Sequence, residues 1–272
     1  MSAVAVSSAI VLSGCSKDTT DQLKRLGFPA GVSDRAHYVQ DLWIGAWIAA
    51  GAIGVFVWGL ILWSSIRYRR RGSSHVPPQV RYNLPIEMLY TVAPMIVILV
   101  LFFYTVKADD NIHRRVKHPD HTITVTAQQW SWTFNYVNDR ALDGSTDVFD
   151  VGTPAQKPVL WLAKGQTVDF TLHSPDVIHS FWIPAFLFKL DVIPGRQNSF
   201  SLTPTKEGTF DGRCAELCGL EHSRMLFTVK IVSPSAYANH LRDLESRGQI
   251  GILLGGSNAD KPAGLDVSGG RG

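Results

Sequence analysis

Two long apolar stretches dominate the first 110 residues, and an alternating pattern takes over after them. Leu42 to Ile66 runs 25 residues without a charged side chain, more than the ~20 needed to cross the hydrocarbon core of a bilayer. Leu84 to Val106 is a second such stretch, with Glu87 near its start as the one ionisable residue. Both predict membrane-spanning helices, and Trp43, Trp47, Trp63, Tyr68 and Tyr90 are candidate aromatic anchors at the interfaces. From His121 the period changes to two: Ile123, Val125 and Ala127 alternate with threonines, the signature of a half-buried strand. Further strands are expected at Trp130 to Val137, Val159 to Leu162, Thr167 to Leu172, Val177 to Ile183, Gln197 to Leu202 and Met225 to Val232. Turn clusters at 163–165, 193–196 and 206–208 separate them. A helical pattern covers Ala236 to Arg247, with Pro234 before it and Gly248 after it. Residues 255–272 are rich in Gly, Ser and Asp and read as a flexible end.

These elements predict a membrane-anchored α+β chain, an N-terminal two-helix transmembrane hairpin followed by an all-β Greek-key sandwich. The expected division is a leader at 1–14, an N-terminal segment at 15–40 outside the membrane and the hairpin at 41–107 with a cytoplasmic loop at 67–83. The β domain follows at 118–233, with a helix and tail at 234–272.

Charge fixes the orientation. Arg67, Arg69, Arg70, Arg71 and Arg81 lie between the apolar stretches with no acid among them, which puts that loop in the cytoplasm and both termini and the β domain outside. Without those five the chain carries 21 basic against 23 acidic residues, so nothing suggests nucleic-acid binding. Cys15 closes the string Leu12-Ser13-Gly14-Cys15 after a short apolar run, as in a secretory leader. The string resembles the bacterial lipobox, in which the cysteine is lipidated. It departs from that pattern in having no Lys or Arg before the apolar run.

The remaining cysteines belong to a twelve-residue loop, 214–225, which holds Cys214, Glu216, Cys218, His222 and Met225. Thiolate and thioether are soft donors, and with imidazole they favour copper over magnesium, calcium or manganese. Two cysteines four apart can face one side and bridge two metal ions, with the Glu216 carbonyl between them in reach. Three plainer readings stand beside copper. The cysteines can form a disulfide, although so short a loop strains the bond. They can hold zinc, although zinc hardly ever takes a thioether. Or Met225 is simply the first core residue of a strand. His179, set among apolar and aromatic residues, is by itself an ordinary core histidine. Together with the loop it supplies a second imidazole, one for each of two coppers.

The pattern His…Cys-x-Glu-x-Cys-x3-His-x2-Met resembles the CuA site of cytochrome c oxidase subunit II in every ligand, and the resemblance covers about residues 40 to 233. It implies a cupredoxin-like domain in which His179, Cys214, Cys218, His222, Met225 and the Glu216 carbonyl bind two coppers. It also implies a magnesium ion on the Glu216 carboxylate at the boundary with subunit I. Trp130, the first Trp of Gln129-Trp130-Ser131-Trp132, corresponds to the residue that receives electrons. Glu87 corresponds to a glutamate at the entrance of the proton channel in subunit I. Asp176 and the string Lys189 to Arg196 match family segments too. Such a subunit takes electrons from a c-type cytochrome and passes them to haem in subunit I. There oxygen is reduced to water and protons are pumped, with subunit III as a further partner. The lipoprotein signal and haem-free tail are compatible with a donor held in a respiratory supercomplex.

By composition alone Trp130 alternates with Trp132, Phe134 and Tyr136 on one strand face and has no special role. Residues 138–157 read as a long acidic connection carrying Asp139, Asp143, Asp147 and Asp150, expected to steer a basic donor. A quinol oxidase subunit lacks the cysteines, and a nitrous oxide reductase needs a large further domain. A tethered copper carrier or thiol module would use the cysteines without Trp130 or Glu87. No Cys-x-x-Cys-His occurs, so no c-type haem is attached to this chain.

Overall fold

The computed structural model of the chain describes residues 17–69, 72, 79–143, 145–153 and 155–255. Cys15, Arg70, Arg71 and the tail beyond Gly255 lie outside the described residues. The chain divides into a helical unit, Tyr38–Ile112, and a β unit built from the described residues on either side of it.

The helical unit is carried by α2, Ala36–Arg67, and α3, Leu84–Ile112, after a short helix α1 at Lys17–Lys24. At 32 and 29 residues both exceed what a bilayer core requires; α2 reaches past its expected stretch at both ends and α3 at its C-terminal end. Their side chains, among them Val55, Trp58, Ile66, Leu89 and Phe102, are exposed within the chain itself, as befits helices whose neighbours are lipid or other subunits. Hydroxyls in these segments are satisfied one turn back: Ser65 and Thr91 donate to the carbonyls of Ile61 and Glu87 at 2.8 Å. Asn83 caps α3, and the Glu87 carboxylate reaches back to accept the Asn83 amide at 2.9 Å.

The β unit is a sandwich of two five-stranded sheets. In chain order the strands are β1 His121–Gln128, β2 Ser131–Tyr136, β3 Val148–Val151, β4 Val159–Ala163, β5 Val168–His173, β6 His179–Ile183, β7 Phe188–Val192, β8 Asn198–Leu202, β9 Gly208–Cys214 and β10 Leu226–Val232. One sheet runs β3-β2-β1-β5-β8 and the other β4-β10-β9-β6-β7; β1 pairs parallel with β5, and β4 with β10. β3, β7 and β9 were not expected. The stretch between the expected turn at 206–208 and the metal loop is β9, threaded between β10 and β6.

Aromatic rings fill the space between the sheets. Phe181 stacks on Phe227 with centroids 5.1 Å apart, and Trp132 meets both edge-on. Gly212 faces Phe227 across the β9–β10 ladder, and a Cβ there would lie 2.1 Å from the ring. Only glycine lets that ring lie flat on the strand. Both flanks of the hairpin join this unit. Val32 donates to the Ala185 carbonyl and accepts from Thr205, both at 2.9 Å. Helix α4 is Pro234–Ser246, starting two residues before the sequence pattern suggests: Ser233 caps it through Ala236 and Pro234 takes the first turn. Tyr237, Leu241 and Leu244 are buried, so this helix belongs to the core of the β unit.

The acidic connection is not a bare surface loop. Residues 148–151 form β3, and Asp139 is buried beneath α4, where it bonds His121 and Tyr237 at 2.8 and 2.7 Å. Asp150 is half-buried and faces His240 at 4.0 Å. Asp143 is exposed and Asp147 only partly covered, so any steering charge reduces to these two. The reason is that α4 covers the other two: Tyr237 bonds Asp139, and His240 lies over Asp150.

Candidate metal centre

Strand β9 ends at Cys214 and β10 begins after Met225, so the ligand loop is a long connection across one hairpin. Its two ends are clamped, with the Cys214 amide donating to the Met225 carbonyl at 3.0 Å. The neighbouring amide, of Ala215, donates to the Ser180 carbonyl of β6 at 3.1 Å. Because Phe181 pairs with Cys214, His179 lies two residues along β6 on the same side as the thiol. A turn of 3-10 helix at His222–Arg224 brings His222 back towards Cys218.

The donor atoms converge. The two sulfurs are 3.8 Å apart; His179 Nδ1 lies 3.9 Å from Cys214, His222 Nδ1 3.6 Å from Cys218, and Met225 Sδ 3.8 Å from Cys218. The Glu216 carbonyl oxygen is 3.2 Å from Cys214 Sγ. Both cysteines are free and buried, and the sulfurs are far beyond the ~2.05 Å of a disulfide bond. Two donors on one tetrahedral metal with bonds of about 2.3 Å stand roughly 3.7 Å apart. The spacings therefore suit donors that share metal ions, and the imidazole and thioether at the two ends suit a soft pair rather than a single hard ion. His179, Cys214 and Cys218 also close to within 4.8 Å of one another as a group.

Hydrogen bonds behind the donors fix their aim. Asp176 accepts from His179 Nε2 at 2.9 Å, which turns Nδ1 towards Cys214. Burial opposes charging His179, but Asp176 and Cys214 outweigh it and raise its pKa. Burial would raise the pKa of Asp176; His179 and the amides of Gln129 and Val177 lower it instead. Between the thiols, Cys214 is held below the usual thiol range, first by the Cys218 thiol donating to it, and Cys218 is pushed up by Cys214 beside it. The pair thus holds one negative charge readily, and metal binding displaces the second proton.

Trp130 stands apart from the strand face on which it was expected. It precedes β2 in a turn, half-buried, and its indole N–H donates to the Cys218 carbonyl at 3.3 Å. Trp132 is the core residue, and its N–H donates to the Met225 carbonyl at 3.2 Å. This second contact was missed; an aromatic strand with a buried indole that needs an acceptor was the only hint. The Glu216 side chain is exposed beside the centre, with Leu217 and Leu220 also turned outward. Glu87 belongs to the helical unit, and Lys189 to Arg196 form β7 and the turn after it.

The chain is similar to known proteins over most of its length. The family described as cytochrome C oxidase subunit II, periplasmic domain, matches residues 121–232, and its transmembrane domain matches 22–108. A probable cytochrome c oxidase subunit 2 of Streptomyces avermitilis is 47% identical, over 93% of this chain and 89% of the relative. The cytochrome c oxidase subunit 2 of Mycobacterium tuberculosis is 35% identical over 86% of this chain and 78% of its own. Among solved structures, the periplasmic domain of subunit II of the Bradyrhizobium japonicum cytochrome oxidase aligns at 28% identity and a TM-score of 0.42. It covers 49% of this chain and 99% of the other.

Proposed function

The chain belongs to the cytochrome c oxidase subunit II family, a membrane component of a haem–copper oxidase, and on that footing we propose how its residues divide the work. His179, Cys214, Cys218, His222 and Met225, with the Glu216 carbonyl, hold the CuA pair. Copper held there would supply a one-electron couple. The protein's own contribution is to fix the donors so that little moves when the charge changes. Cys214 and Met225 are locked at the hairpin ends, and Asp176 keeps His179 from rotating. Burial of both thiols and of His179 keeps water from the donors.

Trp130 is the point where electrons arrive from a c-type cytochrome, because among the described residues it is the half-buried aromatic ring bonded to the ligand loop from outside. The electrons pass on to haem in subunit I, where oxygen is reduced and protons are pumped. The exposed Glu216 carboxylate takes the magnesium ion at that boundary. Glu87 serves the proton channel of subunit I from the start of α3. The arginine-rich loop lies in the cytoplasm, both termini and the β unit outside, and Cys15 is the lipidated residue.

The observation that carries this reading is the convergence of two thiols, two imidazoles and a thioether from segments 179 and 214–225. Electron paramagnetic resonance of the oxidase containing this chain tests it. A multi-line spectrum from one electron shared by two coppers is expected, lost in Cys214→Ser and in Cys218→Ser. A single-copper spectrum in the unaltered chain would refute it.

A further inference from the structure

The turn between β1 and β2 touches both halves of the metal centre through one residue that neither binds metal nor carries charge. Gln129 donates its backbone N–H to Asp176 Oδ2 at 2.7 Å, and the other oxygen of that carboxylate holds His179. Its side-chain N–H donates to the Cys218 carbonyl, also at 2.7 Å. That carbonyl has two lone pairs, and the Trp130 indole occupies the second at 3.3 Å. The loop is shaped to receive both donors. Gly219 has φ +127°, and a Cβ there would stand 3.1 Å from the Gln129 amide nitrogen and 3.0 Å from the Trp130 ring. The peptide after Cys218 is thus turned outward onto the two N–H groups, while the Cys218 thiol faces inward to His222 and Met225.

We propose that Gln129 is a positioning residue for electron transfer: it ties the Cys218 side of the metal loop to the His179 side and keeps Trp130 seated on Cys218. The proposal rests on the assignment of the CuA ligands above. Gln129 is exposed, so burial does not hold its side chain; the bond to the Cys218 carbonyl does. Its backbone bond persists whatever side chain stands there, which makes the side-chain bond separable by substitution without dismantling the turn.

Gln129→Leu and Gln129→Glu both remove the donor, the second while keeping the shape. In the intact oxidase, both are expected to change the line spacing of the two-copper resonance spectrum and shift the potential of the pair. Turnover with a c-type donor should fall about fivefold in kcat, the change that corresponds to one ordinary hydrogen bond, while KM stays within about twofold. Gly219→Ala, which crowds both donors, should produce the same changes. Combined with Gln129→Leu it should add less than its separate effect. An unchanged spectrum and potential would overturn the proposal. So would a rise in KM alone, which would make Gln129 a contact for the donor. If the unaltered oxidase lacks the two-copper spectrum, the ligand assignment itself fails, a result distinct from any Gln129 effect.

Discussion

Replacing Asp139 by asparagine separates the stability of this fold from its electron-transfer site. The Asp139 side chain is fully buried and accepts from His121 Nδ1 at 2.8 Å, from the Tyr237 hydroxyl at 2.7 Å and from the Ala141 amide at 2.8 Å. Burial raises the pKa of its carboxyl, but the His121 bond and charge outweigh it and bring it below the ordinary value. Burial lowers that of His121, and Asp139 and Gln166 outweigh it in turn and raise it. Breaking such a pair costs roughly 3–5 kcal/mol. Asparagine keeps the shape and the Ala141 bond, and a neutral His121 can still donate to Gln166 through Nε2, 3.0 Å away. The lower end, about 3 kcal/mol, is therefore expected, or roughly 6–12 °C in the melting temperature of a unit this size. The pH dependence follows from the shifts. The His121 contribution is complete below its unfolded pKa and is lost as pH rises through the raised folded value. The Asp139 contribution is present above its unfolded pKa and is lost as pH falls through the lowered one. Asp139→Asn should flatten both limbs. Thermal unfolding of the full chain in detergent between pH 3 and 9, followed by tryptophan fluorescence, measures this. The copper spectrum should not change, because β1 places His121 about 24 Å from the ligand end, at about 3.4 Å per residue over its length. A loss below 1 kcal/mol, or a slower donor reaction with stability intact, would refute the reasoning and restore Asp139 to the donor surface.

Met225→Leu should retain copper, since Met225 is buried and leucine conserves volume, yet shift the potential; a chain that cannot be loaded would contradict this. Asp143→Asn with Asp147→Asn should slow the donor reaction at low ionic strength and leave it unchanged at high, because Asp143 stays ionised, held low first by the amides of Ser145 and Thr146. Equal rates at low salt would remove these residues from the donor path. His240, pushed down to about 4 by burial, must pick up a proton on unfolding below about pH 6.5, so it costs stability as pH falls from there to 4. Asp150, pushed up to about 6 by burial, gains its proton first in the folded chain and works in the opposite sense. In an Asp150→Asn background, His240→Phe should therefore raise acid stability by about 1.4 kcal/mol per pH unit across that window; unaltered acid midpoints would refute it.

The donor set was legible in the sequence because its chemistry is specific to residue type and four of the five side chains are close neighbours. The membrane stretches were legible from length alone. What escaped was decided by position. β9 starts at Gly208, the last residue of an expected turn, and its Asp211, Gly212 and Arg213 show no strand pattern. It is a strand because β10 and β6 supply ladders on both sides, and because Gly212 admits the Phe227 ring. β7 lies at a sheet edge and does alternate, Phe188, Leu190 and Val192 with Lys189 and Asp191, but five residues between turns are too short a run to stand out. The acidic connection misled because charge in a sequence says nothing of burial: Asp139 and Asp143, four residues apart, end up beneath a helix and in water.

The same limit explains the outer face of β2. Trp132, Phe134 and Tyr136 point inward as their alternation demands, which leaves Ser131, Thr133 and Asn135 for the solvent side. Yet all six are buried. The chain after α4 returns across this face: Phe149 donates to the Gln249 carbonyl at 3.0 Å and Gly251 to the Asp147 carbonyl at 2.8 Å. Asn135 then grips the Leu253 backbone from both sides, accepting its N–H at 2.7 Å and donating to its carbonyl at 3.1 Å, with Thr126 as a second donor. Nothing in residues 249–255 announces this, because what is recognised is their backbone and not their side chains. A polar strand face is therefore compatible with burial when it can pair with main chain, and Asn135 is the residue whose loss would show it. Asn135→Leu leaves the Leu253 amide beneath an apolar surface without a partner, at about 1–3 kcal/mol, while Thr126 still donates to the carbonyl. Amide exchange at Leu253 and Gly251 should then quicken while the copper spectrum is preserved; continued protection of both amides would mean that the segment is held by something other than this clamp.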